Sequence, residues 1–185
     1  MNQSKISRRY ERSENMIIRT EDIRDHEEVY TLNYHAFENR EDESKLIERI
    51  RSSSSFIPEL SLIAEFDQKV VGHALFSKAE VVGENGSHDV IVLAPIAVHP
   101  DYQKQGIGTK LIKEGLLRCT QLGYPVVLLI GHPAYYPQLG FKPASHYGFT
   151  LTQFEVSDDV FMAYELINDA THAIRGELRY PKAFF

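Results

Sequence analysis

The chain has one cysteine, Cys119, and no tryptophan in its 185 residues. A single thiol closes no internal disulfide and builds no thiolate metal cluster, so no metal is expected from cysteine chemistry. Cys119 falls inside a helical pattern, where a small buried apolar role is expected. No apolar run reaches the length of a bilayer span, and the start, MNQSKISRRYERSEN, carries charge without the apolar centre of a signal peptide. No membrane partner is expected, and the cytoplasm is the expected compartment. A cationic excess is missing too. The formal charge is −6, whereas binding a nucleic-acid backbone takes clustered Lys and Arg, so no nucleic-acid partner is expected. An anionic ligand must then be held by a local device.

What remains suffices for one domain with a sizeable core. Residues 1–15 are polar and without period, and are read as a mobile N-terminal arm before a single domain over 16–185. MIIR is short and β-branched. TEDIRDHEEVYTLNYHAF then spaces Ile23, Val29, Tyr30 and Phe37 as in a helix, with Thr20 or Asp22 as N-cap. A second helical pattern carries Leu46, Ile47 and Ile50 and ends in RSSSS, whose hydroxyls compete for backbone hydrogen bonds. LSLIAEF, KVVGHALFSKAEVV and DVIVLAPIAV are separated by the short turns DQ and GENGSH, which reads as three successive antiparallel strands.

Past that point the pattern changes. GTKLIKEGLLRCTQLG spaces Leu111, Ile112, Leu116 and Leu122 as in a helix, ends at Gly123, and leads into the fully apolar VVLLI. Strand, helix and parallel strand make a crossover unit, which places the chain in the α/β class with α+β character. A short helix is expected at AYYPQLG, and FTLTQF and VFMAYEL are expected to close the sheet.

Two features of the crossover bear on ligand binding, against the alternative of a glycine-rich helix start that holds no ligand. Pro95, inside IVLAPIAV, removes a ladder donor, so that strand must be bulged or unpaired on one side. Beyond it, QKQGIGTKL brings the chain to a helix start, where the first amides lack partners and the dipole favours negative charge. Gly106 and Gly108 leave those amides uncovered, as a pyrophosphate cradle requires. A dinucleotide fingerprint would need a glycine where Leu111 stands, and no Gly-Lys followed by Ser or Thr marks a P-loop.

LAPIAVHPDYQKQGIGTKLI resembles the central motif of the GNAT superfamily of N-acetyltransferases, through Gln103, Gly106 and Gly108, and GHPAYYPQLGF resembles its second motif, through Tyr135, Tyr136, Gly140 and Phe141. The likeness spans about residues 16–166; FIPELSLIAE and RGELRYPKAFF look like a bacterial branch of predicted acetyltransferases. An acidic residue often follows Gly131 in that branch, whereas His132 stands here. The resemblance implies a mixed central sheet of about six to seven strands, a splayed and bulged central strand, and flanking helices. It implies acetyl-CoA as cosubstrate, no metal, and transfer of the acetyl group to a primary amine of a small molecule or protein by direct attack. The alternative is a non-catalytic module that binds acetyl-CoA or CoA. A homodimer is allowed.

By the same resemblance, the backbone of Ile96, Ala97 and Val98 pairs with the pantetheine amides, a form of strand addition. Gln103, Lys104, Gln105, Gly106, Ile107, Gly108 and Thr109 cradle the pyrophosphate, with Lys104 or Lys110 adding positive charge. Tyr136 aligns with the general acid that protonates the departing thiolate, a step suited to a phenol with a usual pKa of about 10. The competing role for Tyr136 is a packed ring whose hydroxyl satisfies a backbone group. Tyr135 reads as packing. Glu65, His73, Glu80, His99 and His132 are candidates for the base that takes the proton of the amine, and RSSSSFIPEL, with Phe56 and Glu59, for one wall of the acceptor pocket.

Overall fold

The structure, a computed structural model, describes residues 16–185, so the arm expected over residues 1–15 lies outside the described residues. Strand β1 (Met16–Thr20) opens the chain, and Asp22 then caps a 3-10 turn, Ile23–Asp25, instead of an α-helix. The turn is reciprocally capped: Asp22 accepts the Arg24 N–H at 3.1 Å and its own N–H donates to Asp25 at 2.7 Å. Helix α1 (His26–Ala36) follows, so Ile23 lies outside it and is 80% exposed instead of on its apolar face. Helix α2 (Asp42–Arg51) buries Ile47 and Ile50, and its Ser44 hydroxyl donates to the Tyr30 carbonyl at 2.8 Å, joining the two helices. As the serine run predicts, Ser52 and Ser53 donate to the carbonyls of Glu48 and Ile50 and end α2.

Strands β2 (Ser61–Phe66), β3 (Lys69–Gly83) and β4 (Gly86–Val98) form the antiparallel meander read from the sequence. Helix α3 (Ile107–Gln121) then crosses to β5 (Val126–Ile130), which lies parallel to β4. Gly123 turns the chain out of α3 at φ +83°, one position past Leu122, which is exposed rather than on the packed face. Strands β6 (Lys142–Pro143), β7 (Phe149–Thr150), β8 (Phe161–Glu165) and β9 (Gly176–Arg179) complete one mixed sheet, ordered β1-β2-β3-β4-β5-β8-β6. Strand β9 pairs with β3 beyond the end of β2, and β7 pairs with β9. Two of the nine strands described have only two residues each, which leaves seven of four or more, the number expected for this fold. Only Phe149 and Thr150 of FTLTQF are in a strand; farther on, the Gln153 side chain takes over the pairing, accepting from the Tyr180 N–H at 2.6 Å.

Helices cover both faces. On one, Ala74, Phe76, Ile91 and Leu93 meet Ile107, Leu111, Ile112, Leu116 and Cys119 of α3. Helix α3 comes close because Gly115 has no side chain: a Cβ there would stand 2.1 Å from two Phe76 ring carbons. Cys119 is fully buried in this contact, and burial pushes its thiol up to about 12, which leaves it inert as the sequence anticipates. On the other face, Val29, Leu32, Ile47 and Ile50 cover Ile63, Leu75 and Ala97, while Phe149, Phe161 and Leu178 cover Val90, Val92 and Leu128. Among the described residues no helix is long and apolar enough to cross a membrane.

Candidate functional site

The centre of the sheet is interrupted where Pro95 stands. Ala74 pairs with Ile96 and Phe76 with Leu93, so Leu75 alone faces Ala94 and Pro95, and β4 is bulged there. On its other side β4 pairs with β5 only at Ile91↔Val127 and Val92↔Leu128. Strand β5 stays with β8 instead, through Leu129↔Met162 and Ile130↔Phe161, and Gly131 continues the ladder with an N–H bond of 2.9 Å to the Val160 carbonyl. The two strands therefore part. Ile96, Ala97 and Val98 pair with Ala74, His73 and Gly72 on the β3 side and, among the described residues, have no strand partner on the β5 side.

The loop after β4 leads to the start of α3 at the mouth of this opening. The Gln103 amide donates to the Val98 carbonyl at 3.1 Å and ties the loop to the strand end. Lys104 at φ +59° and Gly106 at φ +83° turn the chain twice through the left-handed region. A Cβ on Gly106 would meet nothing within 4 Å, so glycine is required there by conformation and not by space. Gly106 is the N-cap; Ile107 is buried and anchors the first turn, and Lys110 donates back to the Gly106 carbonyl at 3.0 Å. The amides of Gly106, Ile107, Gly108 and Thr109 have no partner among the described residues. Lys104 and Lys110 are exposed beside them, and Gln105 spans the loop to the Asp101 carbonyl. The predicted cradle residues are thus brought together, next to the open edge of β4.

Across the opening, the turn after β5 carries Tyr135 and Tyr136. Tyr136 starts a short 3-10 helix, Tyr136–Leu139, the helix read from AYYPQLG. Its ring is 8% exposed and lies edge-on to Tyr135 at 5.1 Å and Phe141 at 5.6 Å. Among the described residues no group hydrogen-bonds its hydroxyl. Burial, reinforced by Tyr135, pushes the Tyr136 phenol up to about 12 and holds its proton firmly at neutral pH. Tyr135, read from the sequence as packing, has a polar contact: its hydroxyl is 3.2 Å from Thr109 Oγ1, across the opening.

The base candidates separate. His73 is fully buried: Ser61 Oγ lies 3.2 Å from Nε2 and Asn33 Nδ2 3.4 Å from Nδ1, and burial lowers the ring's pKa to about 4. Glu65 is held by Arg19 at 2.7 Å, two strands from the opening, and Glu80 accepts from Ser87 near the far end of β3. His99 and His132 remain, each at the end of one diverging strand, accepting from the N–H of Asp101 and Ala134, both at 3.2 Å. The expected acceptor wall also divides: Phe56 packs in the cluster of Ala97, whereas the Glu59 carbonyl faces Arg118 of α3 on the opposite side of the sheet. Among the described residues no group of three His, Cys, Asp or Glu side chains can hold a metal ion.

Residues 21–141 match the model of the acetyltransferase (GNAT) family. The uncharacterized N-acetyltransferase YhbS of Escherichia coli is 31% identical over 170 residues, 91% of this chain and 98% of that protein. The uncharacterized N-acetyltransferase YjhQ of Escherichia coli is 40% identical over 103 residues, 56% of this chain and 57% of its own length. Among solved structures, YhbS from Escherichia coli in complex with CoA superposes with a TM-score of 0.83 at 29% identity, over 92% of both chains. A GNAT family acetyltransferase from Brucella melitensis in complex with acetyl-CoA gives 0.75 at 28%, over 92% of this chain and 98% of that one. A bulged strand that parts from its parallel neighbour beside a glycine-lined helix start, and a family match over most of the chain, lead to one conclusion: the protein belongs to the GNAT acetyltransferase family.

Proposed function

We propose that residues 16–185 act as one acetyltransferase domain, moving the acetyl group of acetyl-CoA to a primary amine of a small molecule or protein by direct attack. The observation that carries this reading is the open edge of β4 leading from the uncovered amides of α3 to the Tyr136 hydroxyl. The amides of Gly106 to Thr109 bind the pyrophosphate, where unpartnered N–H groups and the helix dipole both favour negative charge. Ile96, Ala97 and Val98 offer backbone groups to the pantetheine amides in the place of a missing strand. The relatives solved with CoA and acetyl-CoA support that cosubstrate.

The thioester carbonyl then lies in the opening between β4 and β5. The amine nitrogen forms a bond to the carbonyl carbon, the carbon–sulfur bond breaks, and the electron pair leaves on sulfur. Tyr136 donates its hydroxyl proton to that thiolate as the intermediate collapses. A phenol held well above neutral pH by burial is always protonated when this step arrives. The attacking amine loses its proton to water or to one of the two histidines at the strand ends, of which His132 is nearer in sequence to Tyr136.

The test is free-thiol release from acetyl-CoA in the presence of an amine panel, with intact-mass analysis of the acetylated product. Release that depends on both the amine and Tyr136 supports the reading. CoA binding without release for any amine would favour the non-catalytic module.

A further inference from the structure

We infer that Tyr135 is a positioning residue, which reports occupancy of the α3 start to the Tyr136 ring. This rests on the proposed cosubstrate site and adds a role for a side chain that the two motifs leave as packing. Tyr135 is 37% exposed, unlike its buried neighbour, yet its hydroxyl does not point idly to solvent. It lies 3.2 Å from Thr109 Oγ1, and a Cβ on Gly108 would stand 3.0 Å from it. That contact joins the turn after β5 to the helix after β4, at the end where the two strands have parted. The same ring packs edge-on with Tyr136 at 5.1 Å, the two planes turned by 77°.

The direction of the hydroxyl pair is what an anion changes. A hydroxyl has one donor and two acceptor sites, so with the helix start vacant either oxygen can donate to the other. Thr109 sits in the first turn of α3, among the unpartnered amides. Once a diphosphate occupies that turn, the Thr109 proton goes to a phosphate oxygen, because a hydrogen bond to a charged acceptor is the stronger one. Thr109 Oγ1 is then only an acceptor, and the Tyr135 proton must be directed at it. The Tyr135 ring is fixed in one orientation, and Tyr136, which packs against that ring and has no hydrogen bond of its own among the described residues, is fixed with it. The acid is thereby ordered when the cosubstrate's phosphate end is in place.

ADP separates this link from direct contact, because it carries the diphosphate and lacks the pantetheine arm that would reach Tyr136. With tyrosine labelled at the ring Cζ, the Tyr136 resonance is assigned by its loss in Tyr136→Phe. Millimolar ADP is expected to shift and sharpen that resonance in the wild type and in Thr109→Ser. It is expected to leave it unmoved in Tyr135→Phe and in Thr109→Val, with calorimetry showing ADP still bound and CoA affinity reduced about three- to tenfold. A Tyr136 shift that persists in Tyr135→Phe, or a wild-type resonance unmoved by bound ADP, overturns the link and leaves the proposed transfer intact. Failure of the wild type to bind either CoA or ADP overturns the proposed cosubstrate site and this link together.

Discussion

Gly131 and Tyr136 are shaped to one another: a Cβ on Gly131 would lie 2.2 Å from Cε2 and 2.7 Å from Cδ2 of the tyrosine ring. Real Cβ contacts essentially never come this close, so something must shift, and the ring, which also packs edge-on to Phe141 at 5.6 Å, is what the added methyl meets first. Gly131→Ala should therefore displace Tyr136 while leaving β5 paired to β8. A misplacement on the order of 1 Å is enough to lower turnover about a hundredfold. Thiol release and CoA affinity measured on the same variant check this; the expected result is a large loss in the first and a small one in the second.

Tyr136→Phe removes one oxygen and keeps the ring. Turnover should fall by roughly a hundredfold or more, the scale of a positioned proton donor. CoA binding should hold. Since the hydroxyl makes no hydrogen bond among the described residues, the melting temperature should hardly change. With the phenol pushed up to about 12, the wild-type rate should show no alkaline loss from this group through pH 10. Unchanged turnover in the phenylalanine variant would remove Tyr136 from the reaction.

The helix start gives a binding prediction. Gly108→Leu places a side chain where a bare Cβ already meets the Tyr135 hydroxyl at 3.0 Å and faces Val98 at 3.8 Å. CoA affinity measured by calorimetry should drop at least about tenfold as amides are covered and the loop shifts. An affinity equal to that of the wild type would move the cradle elsewhere.

Acid should weaken the fold through His73. The unfolded chain takes up this proton near the usual 6.5, the folded chain only near 4, because burial disfavours the charged ring. Between those values the unfolded state binds more protons, so stability falls as pH falls, by about 3 kcal/mol over the whole window. The depressed Asp25, held by Arg19, has its window lower, below its ordinary 3.8, and does not mask the effect. Urea denaturation at pH 7, 5.5 and 4.5 should show the decline; a flat profile would mean that His73 is not held neutral.

Phe56 and Glu59, three residues apart, should behave differently once an acceptor is known. Phe56→Ala opens the cluster that holds Ala97 and should alter acceptor KM, whereas Glu59→Ala, on the α3 side, should not. Equal effects would place the pocket elsewhere.

Much of this was readable in the chain because the signals are local. The apolar runs LSLIAEF and KVVGHALF with a short polar turn between them, the 3.6-residue spacing from Leu111 to Leu116, and Pro95 in an apolar run each act through neighbouring backbone, and each appears where expected. Ile23 misled because Asp22 and Asp25 cap each other across three residues and hold a 3-10 turn that no apolar period describes. FTLTQF misled because its backbone pairs with β9 only at Phe149 and Thr150, and beyond them the side chain of its own Gln153 accepts from the Tyr180 N–H, a partner far along the chain.

The candidate site divides along the same line. Sequence alone determined the glycine-lined helix start, the bulge and the paired tyrosines, because φ at Gly106, the missing donor of Pro95 and the residue types of the second motif belong to single positions. Only the tertiary structure decided that His73 is sealed beneath α1, that the Glu59 carbonyl meets Arg118 of α3, and that the Tyr135 hydroxyl reaches Thr109. Those outcomes depend on contacts between residues far apart in the chain, α1 over His73, α3 at the Glu59 carbonyl and the turn after β5 against the α3 start, that no local period records.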